Sequence, residues 1–98
     1  MPEQITEDKV TIKRKKLIFR SWHRGTREID LLLGRFADAH LSDFDEAELA
    51  QYDRMLKNSD PDLYNWITGA EPVPPAEDCK PLQLLVAFTI KGLKLAHP

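Results

Sequence analysis

One apolar run constrains the fold more than any other feature of this chain. Between positions 29 and 41, six apolar side chains and one histidine recur at i, i+3, i+4, i+7, i+8, i+11 and i+12: Ile29, Leu32, Leu33, Phe36, Ala37, His40 and Leu41. This spacing is one continuous face of an α-helix. It predicts a central helix from Thr26 or Arg27 to about His40. Gly34 inside that helix costs about 1 kcal/mol relative to alanine, and we interpret it as permitting the close approach of another element.

Two further helices flank the central one. A first helix is expected from about Lys9 to His23, with Gly25 as a left-handed stop, because glycine adopts that conformation at the least cost. A third helix is expected after Asp45. Asp45 and Glu48 have the spacing of a capping box, in which each side chain accepts a hydrogen bond from the other residue's backbone.

The C-terminal half predicts two more helices and no strand. A fourth helix is expected with Asp60 as N-cap, Pro61 as first residue, Trp66 in the core and Gly69 as a left-handed stop. The proline-rich stretch 71–80 is expected to be an extended connection. The last helix is expected to begin between residues 78 and 81. Its predicted inner stripe is Leu82, Leu85, Val86, Thr89, Ile90 and Leu93.

These patterns together predict an all-α protein, a compact five-helix single domain. At 98 residues the chain has room for one small core. We expect the domain to span residues 9–95 and to follow a flexible N-terminal tail of residues 1–8, which are polar.

The chain lacks the sequence patterns of common active sites. His23, His40 and His97 have no metal-ligand spacing with Cys79 or with one another. No glycine-rich phosphate loop or nucleophile signature is present. His40, on the apolar face of the central helix, is interpreted as a packed or helix-end histidine. We therefore expect no catalytic residue, no metal site and no cofactor-binding residue.

Cysteine content and hydropathy bear on location. A single cysteine rules out an intramolecular disulfide framework and fits a reducing compartment. No apolar run approaches the ~20 residues needed to cross a bilayer, and the first residues lack the features of a signal or transit peptide. We expect a cytoplasmic protein without direct membrane insertion.

Basic residues concentrate in the first third of the chain. Nine of the fourteen lysines and arginines lie within the first 35 residues. A basic segment can bind nucleic acid, but these bases are not on a candidate recognition helix, and the third helix, Asp45 to Lys57, is acidic. We therefore favour a solvated helix face with counter-charges elsewhere in the fold, and we expect no nucleic-acid partner.

The turn between the first two helices carries more charge than a turn needs. Residues 23–30, called the corner below, read HRGTREID. Arg24 is expected near the negative C-terminal end of the first helix, and Glu28 in the positive first turn of the second. The turn is thus electrostatically consistent as plain structure, and its charge density also suits a binding site.

Two short segments give the chain a family resemblance. Residues 24–28, RGTRE, have the form R-G-x-x-E, and residues 60–66, DPDLYNW, have the form D-x-D-L-[YF]-x-W. In this order within a small all-α chain, they resemble the succinate dehydrogenase assembly factors (SdhE-like proteins, also called flavinylation or FAD assembly factors). The resemblance covers roughly residues 17–93.

The resemblance implies a function that needs no active site of the chain's own. It implies a bacterial, cytoplasmic, five-helix assembly factor that binds the flavoprotein subunit of succinate dehydrogenase or fumarate reductase. Such a factor, expected to be a monomer, promotes covalent attachment of FAD to a histidine of that client. The bond-forming groups belong to the client and the flavin. The resemblance therefore implies a protein that is not an enzyme and holds no cofactor stably.

The same resemblance indicates where the client binds. Arg24, Gly25 and Glu28 occupy the defining positions of the first motif, whereas Thr26 and Arg27 fall at its variable positions. We expect the partner-binding residues to be Arg24, Gly25, Arg27, Glu28, Asp30 and Asn65. Two other functions remain open: a small regulatory adapter or antitoxin-type protein that binds another partner through the same corner, and a nucleic-acid-binding helical domain.

Overall fold

The computed structural model describes residues 8–96, with the side chains of residues 8–92. Over these residues it contains five α-helices and no strand: α1 Lys9–Trp22, α2 Arg27–His40, α3 Glu46–Met55, α4 Asp60–Thr68 and α5 Lys80–Ala96. A 3₁₀ turn at Leu41–Asp43 joins α2 to α3, and another at Pro75–Glu77 lies within the proline-rich connection. The prediction of an all-α, five-helix protein is confirmed.

The predicted N-terminal tail falls mostly outside the described residues, which begin at residue 8. Asp8 itself is the N-cap of α1. Its carboxylate accepts a hydrogen bond from the amide of Thr11 at 2.7 Å, and this bond lowers the pKa of Asp8. The start of the first helix is therefore set by a side-chain cap.

Helix α2 lies at the centre of the core, as its periodicity predicts. Its buried side chains are Ile29, Leu33, Phe36 and Ala37. The other helices and connections add Leu17, Leu41, Phe44, Leu49, Tyr52, Met55, Leu56, Leu63, Trp66, Ile67, Leu82 and Leu85. Half-buried His40 stacks on Phe36 with ring centroids 4.8 Å apart, which confirms that it is a packed histidine.

A glycine in α2 brings α1 close. A Cβ at residue 34 would overlap the indole ring of Trp22, and the same ring donates its Nε1–H to Asp38 Oδ1 at 3.3 Å. The interpretation of Gly34 as a point of close approach is confirmed. These contacts hold the C-terminal end of α1 against α2, next to the turn that joins the two helices.

A buried polar contact joins α1 to α3. The Tyr52 hydroxyl lies 2.6 Å from Ser21 Oγ in a hydrogen bond, and Ser21 Oγ also donates to the carbonyl of Leu17 at 2.8 Å. Burial raises the pKa of Tyr52 to about 12, against the opposing effect of the Ser21 hydrogen bond. Both hydroxyls are thus satisfied inside the core, as buried polar groups require.

The start of α3 is the helix end that the sequence predicts best. The Asp45 carboxylate accepts from the Glu48 amide at 2.8 Å, and the Glu48 carboxylate accepts from the Asp45 amide at 2.9 Å. Phe44 and Leu49 on either side are both buried. Glu48 also pairs with Lys80 at 2.7 Å, which ties the start of α5 to α3. This ion pair and the capping bond lower the pKa of Glu48.

Basic residues of α1 have counter-charges and acceptors within the fold. Arg20 pairs with Asp53 at 2.9 Å, and Lys13 approaches the same carboxylate at 3.9 Å. Arg14 donates to the carbonyls of Leu41 and Phe44 at 2.9 and 3.0 Å, where the chain leaves α2. These contacts support the interpretation of the basic segment as a helix face with internal counter-charges.

Two predicted details of the helix ends are wrong. Helix α1 ends as predicted, with His23 as C-cap, but Gly25 is not its left-handed stop, because its φ of +151° is outside the left-handed helical region. The N-cap of α4 is Ser59, not Asp60, because Ser59 has extended backbone angles and its hydroxyl accepts the first-turn amide. Asp60 is instead the first helical residue. Gly69, at φ +81°, is the left-handed stop of α4, as predicted.

The predicted inner stripe of α5 is partly wrong. Its buried residues include Leu82, Leu85 and Thr89, with Val86 half-buried. Ile90 is 44% exposed, and the side chain of Leu93 lies outside the described residues. Phe88, which is not part of the predicted stripe, packs against Phe36 with ring centroids 5.6 Å apart. The face is rotated because α5 contacts α2 as well as α3 and α4.

The crossing of α1 and α2 gives a direct test of packing. Gly34→Ala should lower the free energy of unfolding by about 1–3 kcal/mol, because overpacking against Trp22 outweighs the better helix propensity of alanine. Gly92→Ala in α5 is the matched control, since nothing lies within 4 Å of a Cβ there. Urea unfolding should show Gly92→Ala as stable as the parent or more so. A Gly34→Ala variant of undiminished stability would contradict the tight crossing.

Candidate protein-binding corner

Arg24, the first residue of the corner motif, points into the protein. Its guanidinium is hydrogen-bonded to the carbonyl of Leu56 and, at 2.7 Å, to that of Asn58. It also pairs with the Asp60 carboxylate at 2.9 Å. The side chain is only 15% exposed. Arg24 follows the C-cap of α1, as predicted, but its guanidinium contacts the C-terminal end of α3, because these acceptors cluster where α3 passes into α4.

The electrostatics of this junction favour the arrangement. Leu56 is the C-cap of α3, where exposed carbonyls attract a cation, and Asp60 opens α4, where exposed amides attract an anion. Arg24 thus binds one helix end directly and the other through Asp60. The planar guanidinium, with its several fixed donors, suits such a site better than an ammonium group.

Asp30 closes the corner from the α2 side. Its Oδ1 accepts hydrogen bonds from the amides of Arg24 at 2.6 Å and Gly25 at 3.3 Å. Thr26 caps α2 by accepting from the amide of Ile29 at 3.4 Å. The backbone of the turn is therefore held by side chains of the helix that follows it.

The backbone conformation at position 25, and not a lack of room for a side chain, accounts for the glycine there. Its φ of +151° is rarely adopted by residues with a side chain, whereas a Cβ there would lie 3.5 Å from Asp60 Oδ2, an ordinary contact. A substitution at this position strains the turn and places its side chain next to the Arg24–Asp60 pair.

The side chains of the other three predicted site residues have no polar partner in the described part of the chain. Arg27 and Glu28 are exposed, and Asn65 is half-buried. None of their side chains makes a hydrogen bond or ion pair with any residue in the described part of the chain. The acid of the R-G-x-x-E motif is thus available to a partner, whereas its arginine is already occupied.

The structure brings the two sequence motifs into one shallow depression of about 410 Å³. Its lining comes from the corner and from α4: Thr26, Glu28, Ile29, Asp60, Pro61, Tyr64 and Asn65. Arg24 is not on the lining, but it holds the lining residue Asp60 in place. A carboxylate, an amide and a phenol ring side by side can bind a basic, hydrogen-bonding protein surface.

Tyr64 and Pro61 are lining residues that the sequence-based site prediction missed. Tyr64 is 42% exposed although it belongs to a core helix, and Pro61 is exposed beside it. The signal was present in the second motif, where Tyr64 immediately precedes Asn65. An exposed aromatic residue next to an unpartnered polar one is typical of protein interfaces.

The described residues include neither a metal-ligand cluster nor a membrane-spanning helix. They contain no group of three or more His, Cys, Asp or Glu side chains placed to hold an ion. None of the helices in this part is long and apolar enough to cross a bilayer.

Comparison with known proteins identifies the family. Residues 15–89, which include both motifs and the corner, match the family described as the flavinator of succinate dehydrogenase. The chain belongs to this family. The match confirms the resemblance that the two motifs indicated.

Curated proteins that are similar to the chain carry names consistent with this family. The chain is 43% identical over 77 residues to succinate dehydrogenase assembly factor 2, mitochondrial, of Debaryomyces hansenii, covering 79% of the chain and 54% of the relative. It is 41% identical over 88 residues to the protein of the same name in Drosophila grimshawi, covering 88% and 60%. It is 37% identical over 70 residues to the FAD assembly factor SdhE of Acetobacter pasteurianus, covering 71% and 64%. The chain thus spans about half to two thirds of the length of these relatives.

Two substitutions in the R-G-x-x-E motif should differ strongly in their effect on stability. Arg24→Ala should lower the free energy of unfolding by about 2–3 kcal/mol, because it leaves the Asp60 carboxylate and two carbonyls without a charged donor. Glu28→Gln should change it by less than about 0.5 kcal/mol, as expected for an exposed side chain without partners. Chemical denaturation of both variants measures this. Equal stability of the two would mean that Arg24 does not support the corner.

Proposed function

We propose that this chain binds the flavoprotein subunit of succinate dehydrogenase and promotes covalent attachment of FAD to it. The observation that carries the proposal is the position of Glu28: the motif acid is exposed at the rim of the corner depression and has no partner among the described residues. The names of the relatives, assembly factors for succinate dehydrogenase and for FAD, support the same client.

The chemistry assigned to the chain is selection of a client conformation. Covalent attachment requires the client to hold the flavin and its histidine in near-attack geometry. A protein that binds only this arrangement raises its population by as much as its differential affinity allows. Raising a competent fraction from one in a hundred to one half needs about 100-fold, or about 2.7 kcal/mol. The reacting groups stay on the client and the flavin, so this role needs no catalysis by the chain and no FAD of its own.

The corner residues then divide into two groups. Glu28 pairs with a basic group of the client, and Arg27 and Asn65 contact the surface around it. Arg24, Gly25 and Asp30 act indirectly, because their groups hold the turn and the start of α4 in place. Glu28 lies in the first turn of α2, where the helix dipole favours a negative charge.

The source, the location and the oligomeric state of the protein are further parts of the proposal. We propose a bacterial, cytoplasmic, monomeric factor, supported by the relative from Acetobacter pasteurianus and by the single cysteine. The relatives from yeast and fly are named mitochondrial. The flavoprotein of fumarate reductase is the alternative client, because it presents the same flavin chemistry.

Flavin attachment in cells tests the proposal. The client subunit is produced in bacteria that lack their own assembly factor, together with wild-type chain or a variant, and covalent flavin is measured by in-gel fluorescence. Glu28→Gln should reduce the fluorescence at least tenfold, because it keeps the shape of the side chain and removes its charge.

Glu46→Gln is the matched control, since Glu46 is also an exposed acid in the first turn of a helix but lies on α3. It should leave the fluorescence unchanged. Normal flavin attachment with Glu28→Gln would contradict the proposal that the corner binds the client. Normal attachment without any added chain would contradict the function itself, and a regulatory adapter would then explain the corner better.

A further inference from the structure

An apolar groove lies between α2 and α5, separate from the corner depression. Its volume is about 730 Å³. Among the described residues its lining consists of Leu31, Leu32, Arg35, His40, Leu84, Ala87, Phe88, Thr89, Lys91 and Gly92. Half-buried leucines and Phe88 form most of this surface. A groove between two helices, with apolar walls and charged ends, has the form that receives a helix or an extended segment of another protein.

Thr89 leaves a hydrogen-bonding group unsatisfied in this groove. The residue is 4% exposed, and its Oγ1 has no hydrogen-bond partner among the described residues. Threonine in a helix commonly donates to the carbonyl four residues earlier, but this hydroxyl does not. An unpaired buried hydroxyl costs stability, and an acceptor on a bound molecule would satisfy it.

The charges at the groove have one sign. Arg35 and Lys91 are both exposed, and neither makes an ion pair with a described residue. No aspartate or glutamate is among the described lining residues. The groove is thus complementary to an apolar segment that carries carboxylates, and the corner depression, with Glu28, is complementary to a basic group.

The two surfaces adjoin along α2. Glu28, Leu32 and Arg35 follow one another at i, i+4 and i+7, so they share one face of the helix. Four residues of α-helix rise by about 6 Å. A protein surface that reaches Glu28 therefore extends to the edge of the groove without a change of direction.

We propose that the α2–α5 groove is a second contact surface for the client flavoprotein. It receives an amphipathic segment of the client whose apolar side chains enter between Leu84 and Leu32. Carboxylates of that segment pair with Arg35 and Lys91, and the Thr89 hydroxyl donates a hydrogen bond to one acceptor of the segment. The identity of the partner rests on the proposed function, whereas the chemistry of the segment rests on the groove.

A second copy of this chain fits the groove less well. In a symmetric dimer through this face, each residue of the patch meets the same patch on the partner. Arg35 and Lys91 of the two copies would then approach one another without an acid in the described part of the groove to offset them. A client segment with carboxylates removes that repulsion.

Binding measurements with the purified flavoprotein subunit test the groove. The full chain is titrated calorimetrically into the subunit at low and high salt. Ala87→Glu, which puts a carboxylate at an exposed position of the groove wall, should raise Kd at least tenfold. The double reversal Arg35→Glu with Lys91→Glu should raise Kd and reduce its salt dependence. Ile90→Glu, exposed on the same helix outside the described groove lining, is the control and should stay within twofold.

Thr89→Val separates binding from folding. It replaces the unpaired hydroxyl with a methyl group of similar size, so the variant should melt at the same or a higher temperature than wild type. Client binding should nevertheless weaken about threefold or more, because the client acceptor loses its donor. A variant that binds as tightly as wild type would contradict the hydrogen bond to the client.

The possible results distinguish a failure of the groove proposal from a failure of the proposed function. If Glu28→Gln weakens client binding and none of the groove variants does, the groove proposal is overturned and the proposed function stands. If the wild-type chain does not bind the subunit at all, both are overturned. If sedimentation shows a wild-type dimer that Ala87→Glu dissociates, the groove belongs to a second copy, and the proposal is overturned.

Discussion

The contact of Arg24 with the junction between α3 and α4 is the interaction on which the corner depends. One guanidinium binds the carbonyl end of α3 and the carboxylate that begins α4, while the Asp30 carboxylate accepts hydrogen bonds from the backbone amides of Arg24 and Gly25. The junction is fixed further by Asn58, which donates to the carbonyl of Met55 and to Glu77 in the α4–α5 connection, both at 3.0 Å. Four of the five described helices, α1 to α4, thus adjoin or contact this one turn.

This arrangement explains how one short motif combines structure and binding. Arg24 and Glu28 are four residues apart, but a turn and the start of a helix lie between them, so one side chain points inward and the other outward. Gly25 provides the backbone angle that makes this reversal possible. The rigid turn spares the exposed acid an ordering cost when a partner binds, which is the energetic advantage of a preorganised site.

The parts of the fold that follow from local patterns could be predicted from the sequence. The face of α2, the Asp45–Glu48 capping box and the left-handed Gly69 depend on residues close together in the chain. The partner of Arg24 could not be predicted, because its acceptors lie 32 to 36 positions away and only the packing of α3 and α4 brings them there. The same holds for α5, where contact with α2 turns Ile90 outward and Phe88 inward. Among the site residues, Glu28 and Asn65 were found through the motifs, whereas the position of Tyr64 on the depression appears only in the folded chain.

A double-mutant cycle on Arg24 and Asp60 tests the central claim most directly. Unfolding free energies are measured by urea denaturation for wild type, Arg24→Ala, Asp60→Ala and the double variant. If the guanidinium holds the start of α4 to the corner, the two substitutions are not additive, and the coupling energy is about 1–3 kcal/mol, the range for contacting charged residues with little exposure. Additive effects, with a coupling below about 0.3 kcal/mol, would show that the corner and α4 are held together by other contacts and would contradict the account.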